Sequence, residues 1–519
     1  MRCYYSTVAS FHVQNFGCRA TQADGAAIER QFEERGWARV AQARDAEVVV
    51  LNTCTVTASA DQDARAAIRR VHRENPQARI VVTGCYAQRS PEELAALPGV
   101  VRVIGNSHKH QLAEIATGKG YPIARCSEEG ESGRGFFPLA HLTGVATERQ
   151  VAATAMGPRS IFVSDIFAHT ELLAAPVFDA ANQRTRPNLK VQDGCDNRCS
   201  FCVIPYVRGQ SRSMKLEQIL REVDALVTAG YRELVISGIN LGRWGRDFED
   251  SHLSDVSSRR NHPHAESVGT STGSGAEKLG GVDEKFVVGQ PPKPNDRRPV
   301  FEDLIRAILD HTDLEKLRIS SVEPMDWSDE LIALVAGSPR IAKHAHVPMQ
   351  SGSDAVLRRM HRKYRPWHYR EKIEKIRVAM PTAAIGADVM VGFPGETDAE
   401  FEETRRLVED LPFTYLHVFT YSARPGTPAA AVKGQVPVRV ARERNRVLRG
   451  LAAEKRQAFM REFVGKTVQA ITLNAFDGEW TEALTENYLP LRLPGKSSSN
   501  RWVRVRVENV VEGELVGRL

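Results

Sequence analysis

The chain has 519 residues, 42% hydrophobic and 26% charged, the balance of an ordinary soluble protein. No apolar run reaches the ~20 residues a membrane-spanning helix needs. The start, "MRCYYSTVASFHVQNF", lacks the basic segment and apolar core of a signal peptide, so a cytoplasmic protein with no membrane partner is expected. Eight cysteines are too sparse for a disulfide scaffold and point to metal binding or catalysis, while the formal charge of +6 is modest.

From the N-terminus, "FHVQNFG" reads as a strand ending at Cys18, with a helix predicted over Gln22–Arg35. "EVVVLN" leads to Cys54 and a helix over Ala58–Glu74; "ARIVVTG" leads to Cys85 and a helix over Pro91–Ala96. This βαβα order predicts a parallel sheet covered by helices, a first domain over residues 1–116. Residues 117–186 read as a connecting region whose one apolar stretch is "SIFVSDIFAHTELLAAPVF". A second βα series follows, with strands predicted at Leu189–Asp193, Glu233–Ser237, Lys316–Ser320, His344–Pro348, Ala384–Met390 and Tyr415–Tyr421. Six such units predict an incomplete TIM-like barrel over residues 187–464, with its chemistry at the C-terminal strand ends. Residues 249–298, rich in Ser, Gly, His and Pro, read as a disordered insertion. From Gly465 short β runs predict a small all-β barrel over residues 465–519.

The stretch "DGCDNRCSFCVIP" carries Cys195, Cys199 and Cys202 in a C-x3-C-x2-C pattern directly after a predicted barrel strand. Iron–sulfur clusters usually take four thiolates. Three thiolates serve three irons of a cubane and leave the fourth iron for a small molecule. A structural zinc would need a fourth Cys or His to close its tetrahedron, and the loop has none. Cys18, Cys54 and Cys85 each end a predicted strand, and the carboxyl ends of a parallel sheet open onto one crevice. They read as a second converging triplet; singly, each would be a small buried apolar residue or a lone nucleophile. Cys3 and Cys126 have no such context.

Charge is concentrated in two places. Residues 356–378 hold nine Lys/Arg against two Glu, and residues 433–466 ten against three, a local +7 in each. Such segments suit a polyanion such as RNA, or are two solvated helix faces.

The cysteine loop, including Phe201 before its last cysteine, resembles the signature of the radical S-adenosylmethionine (radical-SAM) enzymes. With "NTCTVTASADQ", "VTGCYAQRSPEEL", "RGQSRS", "SSVEP", "HVPMQSGSD" and "GADVMVGFPGET", nearly the whole chain resembles the radical-SAM methylthiotransferases. That family joins an N-terminal methylthiotransferase domain, a radical-SAM barrel and a TRAM domain. The resemblance implies two 4Fe-4S clusters, on Cys18, Cys54 and Cys85 and on Cys195, Cys199 and Cys202. It also implies S-adenosylmethionine as methyl donor and as source of the 5′-deoxyadenosyl radical. Three branches act on isopentenyladenosine in tRNA, on threonylcarbamoyladenosine in tRNA, or on a ribosomal-protein aspartate. "VQDGCDNRCSFCVIP" and "SGINLGRWGRD" are most similar to the second, which implies C2 of an adenosine in the tRNA anticodon loop as target. A reductant such as a flavodoxin or ferredoxin is implied as a partner; the sulfur donor is not.

Candidates for binding S-adenosylmethionine are Phe201, Ser237, Gly238, Ser320, Ser321, Glu323, Gln350, Ser351 and Asp388; strand-end capping or turn formation is the competing role for each polar one. Arg208 and Arg212 stand as contacts to substrate carboxylate or RNA phosphate, or as surface ion pairs. One departure is Thr21, where the family usually has Asn, a polar change expected to leave the cluster intact.

Overall fold

The structure, a computed structural model, describes residues 8–118, 147–154, 157–169, 172, 185–248 and 298–519. Cys3, Cys126 and the expected disordered insertion, apart from Arg298, lie outside them. Strands β1 (Ser10–Asn15), β2 (Ala38–Arg39), β3 (Val48–Thr53), β4 (Arg79–Gly84), β5 (Val100–Ile104), β6 (Thr147–Thr154) and β7 (Gly157–Val163) form one sheet in the order β2-β1-β3-β4-β5-β7-β6. All pairings are parallel except β6 with β7. Every residue of β3 is buried, which is why "VVVLNT" reads as a continuous run rather than an alternation. Helix α1 (Arg19–Glu33) packs Ile28 and Phe32 on one face of the sheet, and α2 (Ala58–Glu74) packs Ile68 and Val71 on the other.

Three boundaries differ from the sequence reading. Helix α1 starts at Arg19, with extended Cys18 as its N-cap, rather than at Gln22. An additional short helix, α3 (Cys85–Arg89), begins at Cys85 itself, ahead of the expected helix, which starts at Pro91 as read and ends at Ala95. The sheet extends beyond residue 116: β6 and β7, inside the supposed connection, form its far edge. An edge strand needs no continuous apolar run, so "TERQVAAT" gave little strand signal.

In the second domain the expected first strand is broken at Val191. β8 (Asn188–Lys190) joins the barrel, while β9 (Gln192–Asp193) turns aside to pair with β10 (Arg212–Ser213). β11 (Glu233–Ser237) and β12 (Lys316–Ile319) complete one parallel group; β13 (His344–His346), β14 (Ala384–Val391) and β15 (Tyr415–Thr420) form another. Parallel bridges Leu317–Ile341 and Ser321–His346 join the groups into an open six-stranded half barrel. Its core runs continuously from Leu189 to Leu448.

The helix Val438–Arg461 leads to a closed barrel of β16 (Thr467–Phe476), β17 (Trp480–Thr485), β18 (Pro490–Pro494), β19 (Trp502–Val511) and β20 (Glu514–Arg518). The β17–β18 turn docks on the N-terminal rim of the half barrel. There Asn487 Nδ2 donates to the Thr382 carbonyl at 3.0 Å and Lys316 pairs with Glu486 at 3.1 Å.

Candidate active site

Strands β1, β3 and β4 are neighbours, so Cys18, Cys54 and Cys85 leave the sheet side by side. Two glycines permit the approach. Gly17 has φ +108°, and a Cβ there would lie 2.5 Å from the Cys54 Cβ; Gly84 has φ +100°, and a Cβ there would lie 2.2 Å from the Thr53 carbonyl oxygen. Burial, then Cys85 and Cys18, push the Cys54 thiol up to about 12. Thr21 is buried with its hydroxyl 3.5 Å from Cys18 Sγ, so the departure from Asn keeps a polar group beside the first cysteine.

Cys195, Cys199 and Cys202 stand on the loop after β9. Asn240 Nδ2 lies 3.7 Å and the Asn197 amide 3.4 Å from Cys195 Sγ; Arg362 Nη1 lies 3.2 Å from Cys199 Sγ. Burial, then Cys199, push the Cys202 thiol up to about 12. Crowded, desolvated thiols that resist ionisation suit a bound metal group, whose positive charge makes them thiolates. Among the described residues, the sulfurs of neither triplet all lie within 4.8 Å of one another. One tetrahedral zinc with ~2.3 Å Zn–S bonds would draw them to within ~4 Å; a cubane holds them further apart.

A cavity of about 560 Å³ runs through the half barrel and is lined by Cys18 together with Cys195, Cys199 and Cys202. Phe201, Ser237, Gly238, Ser320, Ser321, Glu323, Gln350 and Asp388 all line it. Ser237 Oγ and Asn240 Oδ1 are buried without a hydrogen-bond partner among the described residues, as a wall built for a polar ligand requires. Gln350 has φ +62°, a left-handed conformation that costs a non-glycine residue about 1–2 kcal/mol, held by its amide donating to the Asp388 carbonyl at 2.8 Å. Ser351 does not line this cavity; it is buried against Thr404 Oγ1 at 3.1 Å and has a packing role.

Arg208 is neither a surface residue nor exposed to substrate. It is buried in an ionic cluster linking the first two domains, donating to Asp24 Oδ2 at 2.9 Å and to both Asp193 oxygens at 3.0 and 2.9 Å. Lys109 pairs with Asp24 at 2.9 Å, and Lys190 pairs with Asp193 at 2.8 Å and with Asp24. Arg212 lies alongside, half-buried, donating to the Arg208 carbonyl at 2.6 Å. A second junction ties the segment after β15 to the Cys54 loop: Asp61 holds Arg424 at 2.7 Å and Arg89 at 2.8 Å. Asn106 ties the first triplet to the short helix that follows the barrel's cysteine loop, with Nδ2 2.7 Å from the Val207 carbonyl and 3.6 Å from Cys85 Sγ.

The first basic segment is largely neutralised. Arg359 pairs with Glu400, Arg362 with Glu323, Arg365 with Asp354, and Arg370 with Asp410. Only the second leaves an open face, with Arg439, Arg442, Arg449 and Arg456 exposed at helical spacing. Sequence reading missed Arg362 because it sits in a run that reads as general basicity, and missed Asn106 because its partners are distant in the chain.

Residues 189–246 and 274–408 match the Radical SAM superfamily, and residues 10–105 match the Uncharacterized protein family UPF0004. The half barrel with its cysteine loop is therefore that of a radical-SAM enzyme, a class that uses a 4Fe-4S cluster and S-adenosylmethionine. The chain is 33% identical to the threonylcarbamoyladenosine tRNA methylthiotransferase MtaB of Bacillus subtilis, over 94% of this chain and 91% of that protein. It is 32% identical to the MtaB of Aquifex aeolicus, over 95% and 99%. It is 30% identical to the tRNA-2-methylthio-N(6)-dimethylallyladenosine synthase of Novosphingobium aromaticivorans, over 91% and 88%. Among solved structures, the radical S-adenosylmethionine methyltransferase TsrM of Kitasatospora setae aligns with a TM-score of 0.48 at 14% identity, covering 81% of this chain and 77% of that one. The chain belongs to the radical-SAM methylthiotransferase family. No helix among the described residues is long and apolar enough to cross a membrane.

Proposed function

We propose that this enzyme places a methylthio group on C2 of N6-threonylcarbamoyladenosine in the anticodon loop of tRNA. The observation that carries the reading is the single cavity lined by Cys18 and by all three cysteines of the barrel loop, which would open both triplets onto one substrate. Cys195, Cys199 and Cys202 would hold the cluster that binds S-adenosylmethionine; Cys18, Cys54 and Cys85 would hold a second 4Fe-4S cluster. When bound, these groups supply the radical and the methylated sulfur. Phe201, Ser237, Gly238, Ser320, Glu323, Gln350 and Asp388 would orient S-adenosylmethionine and the base, the orphaned Ser237 hydroxyl finding its partner there.

The C2–H of adenine is neither acidic nor nucleophilic at neutral pH, so a radical route suits it. The base must leave its stack to enter the cavity, which single-stranded loops allow. The exposed arginines of helix Val438–Arg461 suit the RNA backbone, and binding should weaken with salt. Such work is cytoplasmic, with a flavodoxin or ferredoxin as electron donor.

The reading is tested by nucleoside mass spectrometry of tRNA from a strain lacking this protein. Loss of 2-methylthio-threonylcarbamoyladenosine is expected. Its persistence, with loss of the 2-methylthio dimethylallyl nucleoside instead, would assign the sister branch.

Arg362 donates to Cys199 and pairs with Glu323 in the cavity wall. Arg362→Met should retain iron but slow 5′-deoxyadenosine formation by about 10–100-fold, the usual effect of removing a partner of a metal ligand. Unchanged rates in an anaerobic dithionite assay would remove Arg362 from the site.

A further inference from the structure

His346, Asp388 and His417 lie on the adjacent strands β13, β14 and β15, with Asp388 directly opposite His417 in the parallel register. His346 Nε2 lies 3.2 Å from Asp388 Oδ1, and His417 Nδ1 lies 3.3 Å from the same oxygen. One ligand atom from each of the three residues lies within 4.8 Å of the other two, the only such grouping of His, Cys, Asp and Glu among the described residues. Zn–N and Zn–O bonds of about 2.0–2.1 Å put the edges of a tetrahedron at about 3.3 Å. Two of the three separations already match that edge.

The surroundings orient the ligands. The Tyr415 hydroxyl lies 3.0 Å from His346 Nδ1 and 2.7 Å from His344 Nε2. It carries one proton, so it accepts from one histidine while donating to the other. With His346 Nδ1–H donating to Tyr415, and Tyr415 donating to His344, His346 Nε2 presents a lone pair toward Asp388. That nitrogen is buried in a residue only 7% exposed and makes no hydrogen bond, although a carboxylate oxygen faces it. A histidine ligand fixed through its other ring nitrogen is the usual outer shell of a metal site.

We propose that His346, Asp388 and His417 form a mononuclear site for a divalent cation of the zinc class, separate from both cysteine triplets. Two imidazoles and one carboxylate suit a borderline metal better than magnesium or calcium. Three protein ligands leave a coordination position open, and all three residues line the cavity. An oxygen ligand there is water or an anionic group of the substrate; if the tRNA reading holds, the threonyl carboxylate is such a group. The site itself does not depend on that reading.

The test uses the full-length holoenzyme with its iron–sulfur centres filled, exposed anaerobically to stoichiometric Zn²⁺ and desalted. Zinc and iron are then measured in the same sample. The expected result is about one zinc per chain in the wild type, and its loss in His417→Ala and in the near-isosteric Asp388→Asn, with iron unchanged. Iron content and circular dichroism report whether each variant is folded, and Asp388→Asn stands in if His417→Ala is not. Equal zinc in the wild type and a folded variant, or none in the wild type, overturns the proposal. Neither outcome involves tRNA, so failure here is distinguishable from failure of the functional reading.

Discussion

Asp24→Ala is expected to lower the unfolding free energy by about 3–5 kcal/mol, the effect of removing one partner from a buried ionic cluster. Asp24 accepts from Lys109, Lys190 and Arg208, all buried. Without it, Lys109 loses its carboxylate, and Asp193 alone faces Lys190 and Arg208. Burial raises the Asp24 carboxyl, but Lys109, Lys190 and Arg208 outweigh it and hold the group well below the usual carboxylate range. Asp193 is held low in the same way, with Arg208 and Lys190 overcoming its burial. The sign of the pH effect follows. Both carboxylates are depressed on folding, so their contribution is fully present above the unfolded value near 4 and is lost as pH falls through the folded values. Urea denaturation from pH 7 down to pH 3 checks this. The wild type should lose stability steeply at the acid end and Asp24→Ala less steeply; parallel curves would show that Asp24 carries no such load.

Cys54→Ser and Cys202→Ser should each halve bound iron, from about eight to about four per chain if both triplets hold cubanes, yet differ completely in chemistry. Cys202→Ser removes a ligand from the loop proposed to bind S-adenosylmethionine and should abolish 5′-deoxyadenosine. Cys54→Ser leaves that loop intact: 5′-deoxyadenosine should still form while methylthiolated nucleoside falls below detection. Iron analysis and product chromatography on the same preparations separate the cases. Methylthiolation by Cys54→Ser would refute the division of labour.

Much of this architecture was legible in the sequence because strand identity there is carried by local pattern. The barrel strands from Glu233 onward lie within about two residues of their expected ends; β11 and β14 are largely buried and written as compact apolar runs, while the others were bounded by the helical patterns between them. Cys18, Cys54 and Cys85 could be grouped before any coordinates, because chain order in a parallel sheet fixes which ends meet. The misses share another cause. Val191 breaks a strand that reads as continuous, and β6 is an edge with a polar sequence. Arg208 reads as a contact to substrate or phosphate, or as a surface ion pair; only its partners, including Asp24 184 positions away, make burial tolerable. His346, Asp388 and His417 fall in three separate strands, and no spacing rule links them.

Tyr488, in the β17–β18 turn, lines the cavity from the rim opposite the cysteine loop, its ring 5.0 Å from that of His344 and 6.1 Å from that of Tyr415. One wall of the reaction chamber is thus supplied by a side chain that belongs to neither cysteine-bearing domain. Trimming the C-terminal domain would therefore do more than weaken substrate capture: it would take Tyr488 out of the wall of the reaction cavity itself.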